Sequence, residues 1–139
     1  MFVNMLTDEE KIGFVSLMQY LSQVDGMVTE DEKLYLEGFC REIGVKDTET
    51  NCDFSAISIK EILALIKTPV SKNVIIMELI NLAYADEDYS TKKRNGIKYI
   101  ANVMGVLEGK IIEIEEWVKE GISWANRGYY IISSSEGDE

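Results

Sequence analysis

Histidine is absent from this chain of 139 residues. Its absence removes the side chain that most often transfers protons near neutral pH, and with it the Ser-His and Cys-His nucleophile pairs. It also removes most zinc sites, which depend on histidine or on clustered cysteine. Because no other pair of nucleophile and base is visible, the sequence favours a protein that is not an enzyme.

Cysteine and proline are also scarce. The two cysteines, Cys40 and Cys52, form no CxxC motif and no disulfide framework, so a reducing cytoplasm fits. The single proline, Pro69, leaves little to interrupt helices. The N-terminus lacks the basic region of a signal peptide, and the longest apolar stretch, residues 74–85, is too short to span a bilayer. We therefore expect a cytoplasmic protein without a transmembrane segment.

Positive charge is the third scarcity. The chain has 14 Lys and Arg residues against 25 Asp and Glu residues, which gives a net charge of −11. Such a chain repels the phosphate backbone, so we expect no binding to nucleic acid. The same balance favours cations and protein partners that have a basic surface.

One sequence pattern occurs twice. Residues 24–45, VDGMVTEDEKLYLEGFCREIGV, align with residues 85–106, ADEDYSTKKRNGIKYIANVMGV, after a shift of 61 positions. Asp25 then aligns with Asp86, and Gly44 with Gly105. The apolar positions of the two copies also coincide, namely Leu36, Phe39, Cys40 and Ile43 with Ile97, Ile100, Ala101 and Met104. Each copy predicts an acidic turn, a hydroxyl cap, an amphipathic helix and a glycine stop.

Hydroxyl side chains mark the predicted helix starts. Three capping boxes, in which Ser or Thr precedes Glu by three residues, begin at Thr7, Thr29 and Ser58. Ser71 and Ser90 are the predicted caps of two further helices. The predicted helices run from about Asp8 to Val24, from Thr29 to about Ile43, from Ser58 to before Pro69, from Ser71 toward Asp86, from Ser90 to Gly105, and onward from about Glu108.

These elements predict an all-α fold, a compact helical bundle of two pseudo-symmetric helix pairs plus a C-terminal helix. A helix pair with one apolar stripe cannot bury that stripe alone, but two copies that face each other can. We expect one domain over residues 1–132 and an acidic disordered tail over 133–139. We expect Trp117 and Trp124 to anchor the core, with a place in a binding surface as the alternative, because tryptophan is enriched at binding hot spots. The β-like residues 129–132 are expected to dock on the helices, with an exposed patch as the alternative.

Three carboxylates are the candidate metal ligands: Asp25, Glu32 and Asp86. If the two copies pack by approximate twofold symmetry, all three can converge, and their oxygens suit a hard cation such as Ca²⁺ or Mg²⁺. The alternative is that the two aspartates accept hydrogen bonds from backbone N–H groups at the following helix starts, without a metal. The familiar calcium loop is not present, because Thr91 stands where that loop needs glycine and Ile97 where it needs glutamate.

Two further features have simpler interpretations. Cys40 lies on the apolar face of its helix and aligns with Ala101, which predicts a small buried residue. Many acidic residues should form a solvated surface on which a basic partner could dock. They are Glu30, Asp31, Glu37, Glu42, Asp47, Glu49, Glu113, Glu115, Glu116 and Glu120.

The doubled pattern resembles the tellurite-resistance TerB-like family over about Phe14 to Val118. The motif is an Asp-Gly turn, a hydrophobic residue at plus three, Ser or Thr at plus four, Glu at plus seven and a helix closed by glycine and a hydrophobic residue. It stands here as Asp25, Gly26, Val28, Thr29, Glu32, Gly44 and Val45, and again as Asp86, Tyr89, Ser90, Gly105 and Val106. The resemblance implies a cytoplasmic, all-helical bundle of two related halves. It also implies a divalent-cation site at the paired acidic positions, and a link to tellurite and other chemical stress, often beside membrane-associated or signalling partners.

The second copy departs from this pattern at two positions. Glu87 replaces the glycine, and Lys93 replaces the glutamate at plus seven. Lys93 also falls on the buried stripe, four residues before Ile97, where an ammonium group must find a carboxylate or reach water. Our hypothesis is that Lys93 pairs with the predicted metal ligands and takes the place of a cation.

Three functions follow from these observations. The first is a non-enzymatic TerB-like stress-response protein, which binds or scaffolds partners through its acidic turns and surface. The second is a divalent-cation-binding protein whose ligands come from both repeats, with Ca²⁺ or Mg²⁺ as the one expected cofactor. The third is a co-chaperone-type interaction module, because some TerB-like relatives are joined to J domains. No oligomeric state is favoured.

Overall fold

The computed structural model describes residues 2–24, 30–43, 56–85 and 89–135. Within these ranges the chain is helical throughout, with short connections and no strand. A short 3₁₀ turn at Val3–Met5 precedes the α-helices. These are α1 (Asp8–Gln23), α2 (Glu30–Ile43), α3 (Ala56–Ala64), α4 (Pro69–Ala85), α5 (Thr91–Met104) and α6 (Glu108–Ser133). The predicted all-α class is confirmed.

The first predicted helix start is confirmed at α1. The Glu10 backbone N–H donates to Thr7 Oγ1 over 3.2 Å, and the Thr7 N–H donates to Glu10 Oε1 over 2.9 Å. This reciprocal capping box satisfies two N–H groups that the first helical turn would otherwise leave without partners. The second predicted box, at Thr29, lies outside the described residues.

Both ends of α5 are as predicted. Ser90 Oγ accepts a hydrogen bond from the Lys93 backbone N–H over 3.1 Å. At the other end Gly105 adopts a left-handed conformation with φ of 78°, and the Val106 N–H reaches back to the Ala101 carbonyl over 2.8 Å. This is a Schellman ending, which glycine favours because it has no Cβ to clash in that conformation.

Two predicted caps are wrong. The helix α3 begins at Ala56, so Ser58 lies inside its first turn and does not cap it. The helix α4 begins at Pro69, whose fixed φ suits the first position of a helix and whose missing N–H is not needed there. Thr68 supplies the cap, because its Oγ1 accepts from the Ser71 backbone N–H over 3.1 Å. Hydroxyl groups occur at several nearby positions, so the sequence pattern alone placed the cap of α4 three residues too late.

A single core joins the two copies of the repeat. Phe39 from the first copy and Ile97, Ile100 and Met104 from the second are buried in the same cluster, as predicted. Phe39 also packs edge-on against Phe14 of α1, with ring centroids 5.2 Å apart. The side chains of Leu36 and Ile43, the other predicted core residues of α2, lie outside the described set. Cys40 is buried, as predicted.

The helix α4 lies at the centre of the bundle, where it contacts α1, α2, α5 and α6. Its buried residues lie on more than one face: Ile75, Leu79, Leu82 and Ala83 share one stripe, and Ile76 and Ile80 lie on other faces. A helix that is apolar on most sides belongs in the interior. The first helix pair, α1–α2, thus packs on α4 of the second pair, α4–α5. The helix α6 covers α4 and α5 from the outside.

The C-terminal end of α6 differs from the prediction. Residues 129–132 continue the helix to Ser133 and are exposed, so the prediction that they dock on the bundle is wrong. Trp117 and Trp124 are exposed as well, so neither anchors the core as predicted. Residues 136–139 of the predicted tail lie outside the described residues. No helix among those described is long and apolar enough to cross a membrane.

Candidate functional site

The predicted cation ligands mostly lie outside the described residues. Asp25 and Asp86 are not described, and Glu32 is placed in α2 without a described side chain. The described part of the chain does pack the end of α1, next to Asp25, against α5, the helix that follows Asp86. A Cβ added at Gly96 of α5 would lie 3.2 Å from Leu21 and 3.5 Å from Val24, at the end of α1. Convergence of the three carboxylates stays a prediction, and the described residues alone contain no cluster of three metal-binding side chains.

Lys93 lies where the sequence placed it, on the buried side of α5. Only 2% of its surface is exposed, which makes it one of the largest fully buried side chains of the described residues. An ammonium group is buried at such depth only in polar or charged company. Its burial is therefore confirmed, and the predicted pairing with the carboxylates of the acidic turns stays a hypothesis.

A charged pair joins α5 to α6 one residue further on. Arg94 Nε donates to Glu115 Oε2 over 3.0 Å, and its second terminal nitrogen donates to Oε1 over 3.1 Å. This fork-shaped contact holds the carboxylate with two parallel hydrogen bonds. Glu115 is buried, so the prediction that it belongs to the solvated acidic surface is wrong. Its position four residues after Ile111 and three before Val118 places it on the inner face of α6, and this spacing could have revealed its burial.

Tyr89 lies against the same carboxylate. Burial disfavours the charged form of Glu115, but hydrogen bonding from Arg94 and the proximity of Tyr89 outweigh it and hold the pKa of Glu115 below its usual value. Burial, followed by the neighbouring carboxylate, raises the pKa of Tyr89. No partner meets good hydrogen-bond geometry at the Tyr89 hydroxyl within the described residues, so we treat its contact with Glu115 as electrostatic.

Other buried carboxylates connect separate elements of the bundle. Glu10 Oε1 accepts from Ser71 Oγ over 3.1 Å, which ties the start of α1 to the start of α4. Glu78, in the centre of α4, accepts from the Phe2 backbone N–H over 3.1 Å and so fixes the N-terminal turn. Both carboxylates accept hydrogen bonds from a different element of the chain. These directional contacts fix the relative positions of the elements that they join.

The exposed surface of α6 combines the predicted acidic residues with aromatic residues for which exposure was only the alternative. A groove of about 1060 Å³ opens between α4 and α6, and its walls include Asn81, Tyr84, Trp117 and Trp124. The Trp124 side chain is 79% exposed. Three exposed carboxylates, Glu113, Glu116 and Glu120, follow one another on the same helix at spacings of three and four. These spacings place them on one face.

Comparison with known proteins identifies the fold. No protein-family model matches the chain, and no curated protein matches it. Among solved structures, the chain is similar to a tellurite resistance protein from Nostoc punctiforme, with a TM-score of 0.66 and 19% sequence identity. The match covers 96% of this chain and 86% of that one. The chain therefore has the fold of a tellurite resistance protein, which confirms at the level of fold the TerB-like resemblance of the doubled pattern.

Proposed function

We propose that this chain is a non-enzymatic TerB-like protein of the tellurite-resistance type, which binds a protein partner with a basic surface. The observation that carries the proposal is the exposed row Glu113, Glu116 and Glu120 on α6, beside Trp117 and Trp124. Carboxylates attract Lys and Arg side chains over distance, and a tryptophan face adds a cation–π contact once they arrive. The likeness in fold supports the tellurite-resistance type.

The glutamates of this row are available for a partner. The one ion pair described within the row joins Lys110 to Glu113 over 3.9 Å between two exposed side chains, and contributes little. The buried carboxylate of the same helix, Glu115, is by contrast held by Arg94. A basic partner would therefore meet the outer row and leave the inner pair intact.

Calorimetric titration with a lysine-rich amphipathic peptide tests this proposal. We expect binding that weakens as salt rises, because exposed charges are screened. The triple variant Glu113→Gln, Glu116→Gln, Glu120→Gln should lose most of that binding. The matched control changes three exposed carboxylates elsewhere, Glu9→Gln, Glu37→Gln and Glu61→Gln, and alters net charge equally. Equal loss in both triple variants would show that only net charge attracts the peptide, and would contradict the proposal.

Resistance to tellurite is tested separately in cells. Expression of the chain in a tellurite-sensitive bacterium should raise the concentration of tellurite that stops growth. The glutamate triple variant should protect less than the matched control, at equal protein level. If the parent chain gives no protection, the tellurite-resistance part of the proposal is wrong. The partner-binding part is tested independently by the calorimetric titration.

Divalent-cation binding by Asp25, Glu32 and Asp86 is the second candidate. The contact of Gly96 with the end of α1 supports it, because this contact packs the residue before Asp25 against α5, the helix that follows Asp86 in the sequence. Lys93 argues for weak binding, since its charge can replace that of an ion. We expect Lys93→Glu to bind Ca²⁺ or Mg²⁺ more tightly than the parent in calorimetric titration, with chelator as control. Tighter binding by the parent would contradict the role given to Lys93.

A further inference from the structure

The apolar stripe that packs α6 on the bundle continues after the bundle ends. Val118 is buried, and the stripe then proceeds through Ile122, Ala125, Tyr129 and Ile132 at spacings of four, three, four and three. These spacings keep the side chains on one face of a helix, as in a coiled coil. Tyr129 is 72% and Ile132 82% exposed. The stripe is thus continuous, but no other part of the described chain packs over its second half.

The exposed face has the shape of a channel. Its floor consists of small residues, Gly121, Ala125 and Gly128, and a Cβ added at either glycine would meet nothing within 4 Å. Bulky apolar side chains rise on both sides of this floor. They are Trp117, Trp124 and Ile131 on one side and Ile122 and Tyr129 on the other. A second helix can approach closely along such a floor, while its own bulky side chains fill the channel.

The charge of this segment differs from that of the rest of the chain. Residues 119–133 contain Lys119, Glu120 and Arg127 as their only charged groups, a net charge of +1, while the whole chain carries −11. The remainder therefore carries −12. If two copies met through other surfaces, their carboxylates would repel each other. If they meet through residues 119–133, this repulsion is avoided. The acidic remainder also disfavours an anionic lipid surface.

The second half of α6 also needs support to remain helical. Isolated helices of about 15 residues are marginal in water, even with sequences that favour helix. Gly121 and Gly128 each weaken this one further, by about 1 kcal/mol relative to alanine. Burial of the apolar face supplies the missing stabilisation.

We propose that the second half of α6, residues 119–133, is a self-association surface on which α6 of a second copy docks. A twofold arrangement suits it, because each copy offers the same small floor and the same bulky sides. The exposed apolar side chains would bury on the order of 700 Å² per copy, close to the roughly 800 Å² of a standard interface. The inference does not depend on the proposed basic partner. Both proposals use Trp117 and Trp124, so a second copy and a basic partner would compete for these two side chains.

Analytical ultracentrifugation across the micromolar range tests the proposal. The parent should be a dimer at high concentration and dissociate on dilution. Trp124→Glu should raise the dissociation constant by about 30-fold or more, since it removes a central aromatic contact. The matched control is Tyr130→Glu, which changes another exposed aromatic residue, on the polar side of the same helix, and should leave the dimer intact.

The variant Gly128→Leu distinguishes close helix packing from nonspecific hydrophobic association. It adds apolar surface and favours helix, so association without a specific fit should strengthen. A channel that receives a second helix should instead be blocked, and the dimer should weaken. All three variants change positions outside the core, so circular dichroism should report a helical protein with a parent-like thermal transition at dilution.

Three results would overturn the proposal. The first is a parent that stays monomeric at all concentrations. The second is a dimer that Trp124→Glu leaves unchanged or that Gly128→Leu strengthens. The third is a monomer that binds phosphatidylcholine vesicles through this face, with binding lost in Trp124→Glu, which would identify a lipid surface as the occupant.

Discussion

The two halves of α6 carry the same apolar stripe in different surroundings. In the first half, Ile111, Ile114 and Val118 pack into the bundle, and Glu115 is fixed by Arg94. In the second half, Ile122, Tyr129 and Ile132 occupy the same face and remain exposed. Pattern alone therefore tells where a helix is apolar, while the surrounding elements decide whether that face is already covered. An uncovered continuation of a core stripe indicates a place for another molecule.

The sharpest contrast comes from one substitution in each half. Ile114→Ala removes a buried side chain and leaves a cavity, so we expect the free energy of unfolding to fall by about 2–5 kcal/mol. Ile132→Ala changes an exposed residue and should alter it by less than about 0.5 kcal/mol in dilute protein. Chemical denaturation at low concentration measures both. Equal losses would mean that the second half also packs on its own bundle.

Loss of the charged pair is the next largest effect. Arg94→Ala leaves the buried Glu115 carboxylate without its fork of hydrogen bonds, and we expect a loss of about 1–3 kcal/mol at neutral pH. Because folding lowers the pKa of Glu115, its contribution is present above the unfolded-state value and disappears as pH falls through the lower folded-state value. Denaturation of parent and variant between pH 7 and pH 3 should therefore show the difference shrink at the acidic end. A difference that grows on acidification would contradict the assignment.

Two glycines outside the core give the smallest effects on stability, of opposite sign. A Cβ added at Gly105 or Gly128 would meet no other atom within 4 Å, so the backbone conformation determines how each substitution changes stability. Gly105→Ala should cost about 1 kcal/mol, because its φ of 78° disfavours a side chain. Gly128→Ala should stabilise dilute protein by about 0.5–1 kcal/mol through helix propensity. If a second helix lies on Gly128, this gain should diminish in concentrated protein, as thermal unfolding at two concentrations can show.

Most of the fold could be predicted from the sequence, because local signals and the core pattern agree. The Thr7 and Ser90 caps and the Gly105 stop are fixed by hydrogen bonds between near neighbours, which short motifs describe well. The placements at Ser58 and Ser71 failed because several hydroxyl residues compete for one helix start. The motif placed Lys93 on the buried side correctly.

The surface of α6 could not be predicted in the same way. Aromatic and β-branched residues suggested burial for Trp124 and residues 129–132, since such residues usually lie inside. Where α6 leaves the bundle depends on the lengths of α4 and α5, which a local pattern does not contain. The periodic stripe from Val118 to Ile132 was the available signal, and it predicts helix correctly without saying what covers it. The cation ligands Asp25, Glu32 and Asp86 stay predictions.

Amide hydrogen exchange along α6, at two protein concentrations, tests the central claim most directly. Exchange reports how often each helical turn opens, so the two halves can be compared within one molecule. We predict strong protection of residues 111–118 at both concentrations, and protection of residues 119–133 only where dimers form. Protection of the second half that is independent of concentration, or absent even in concentrated protein, would contradict the assignment of this face to a second copy.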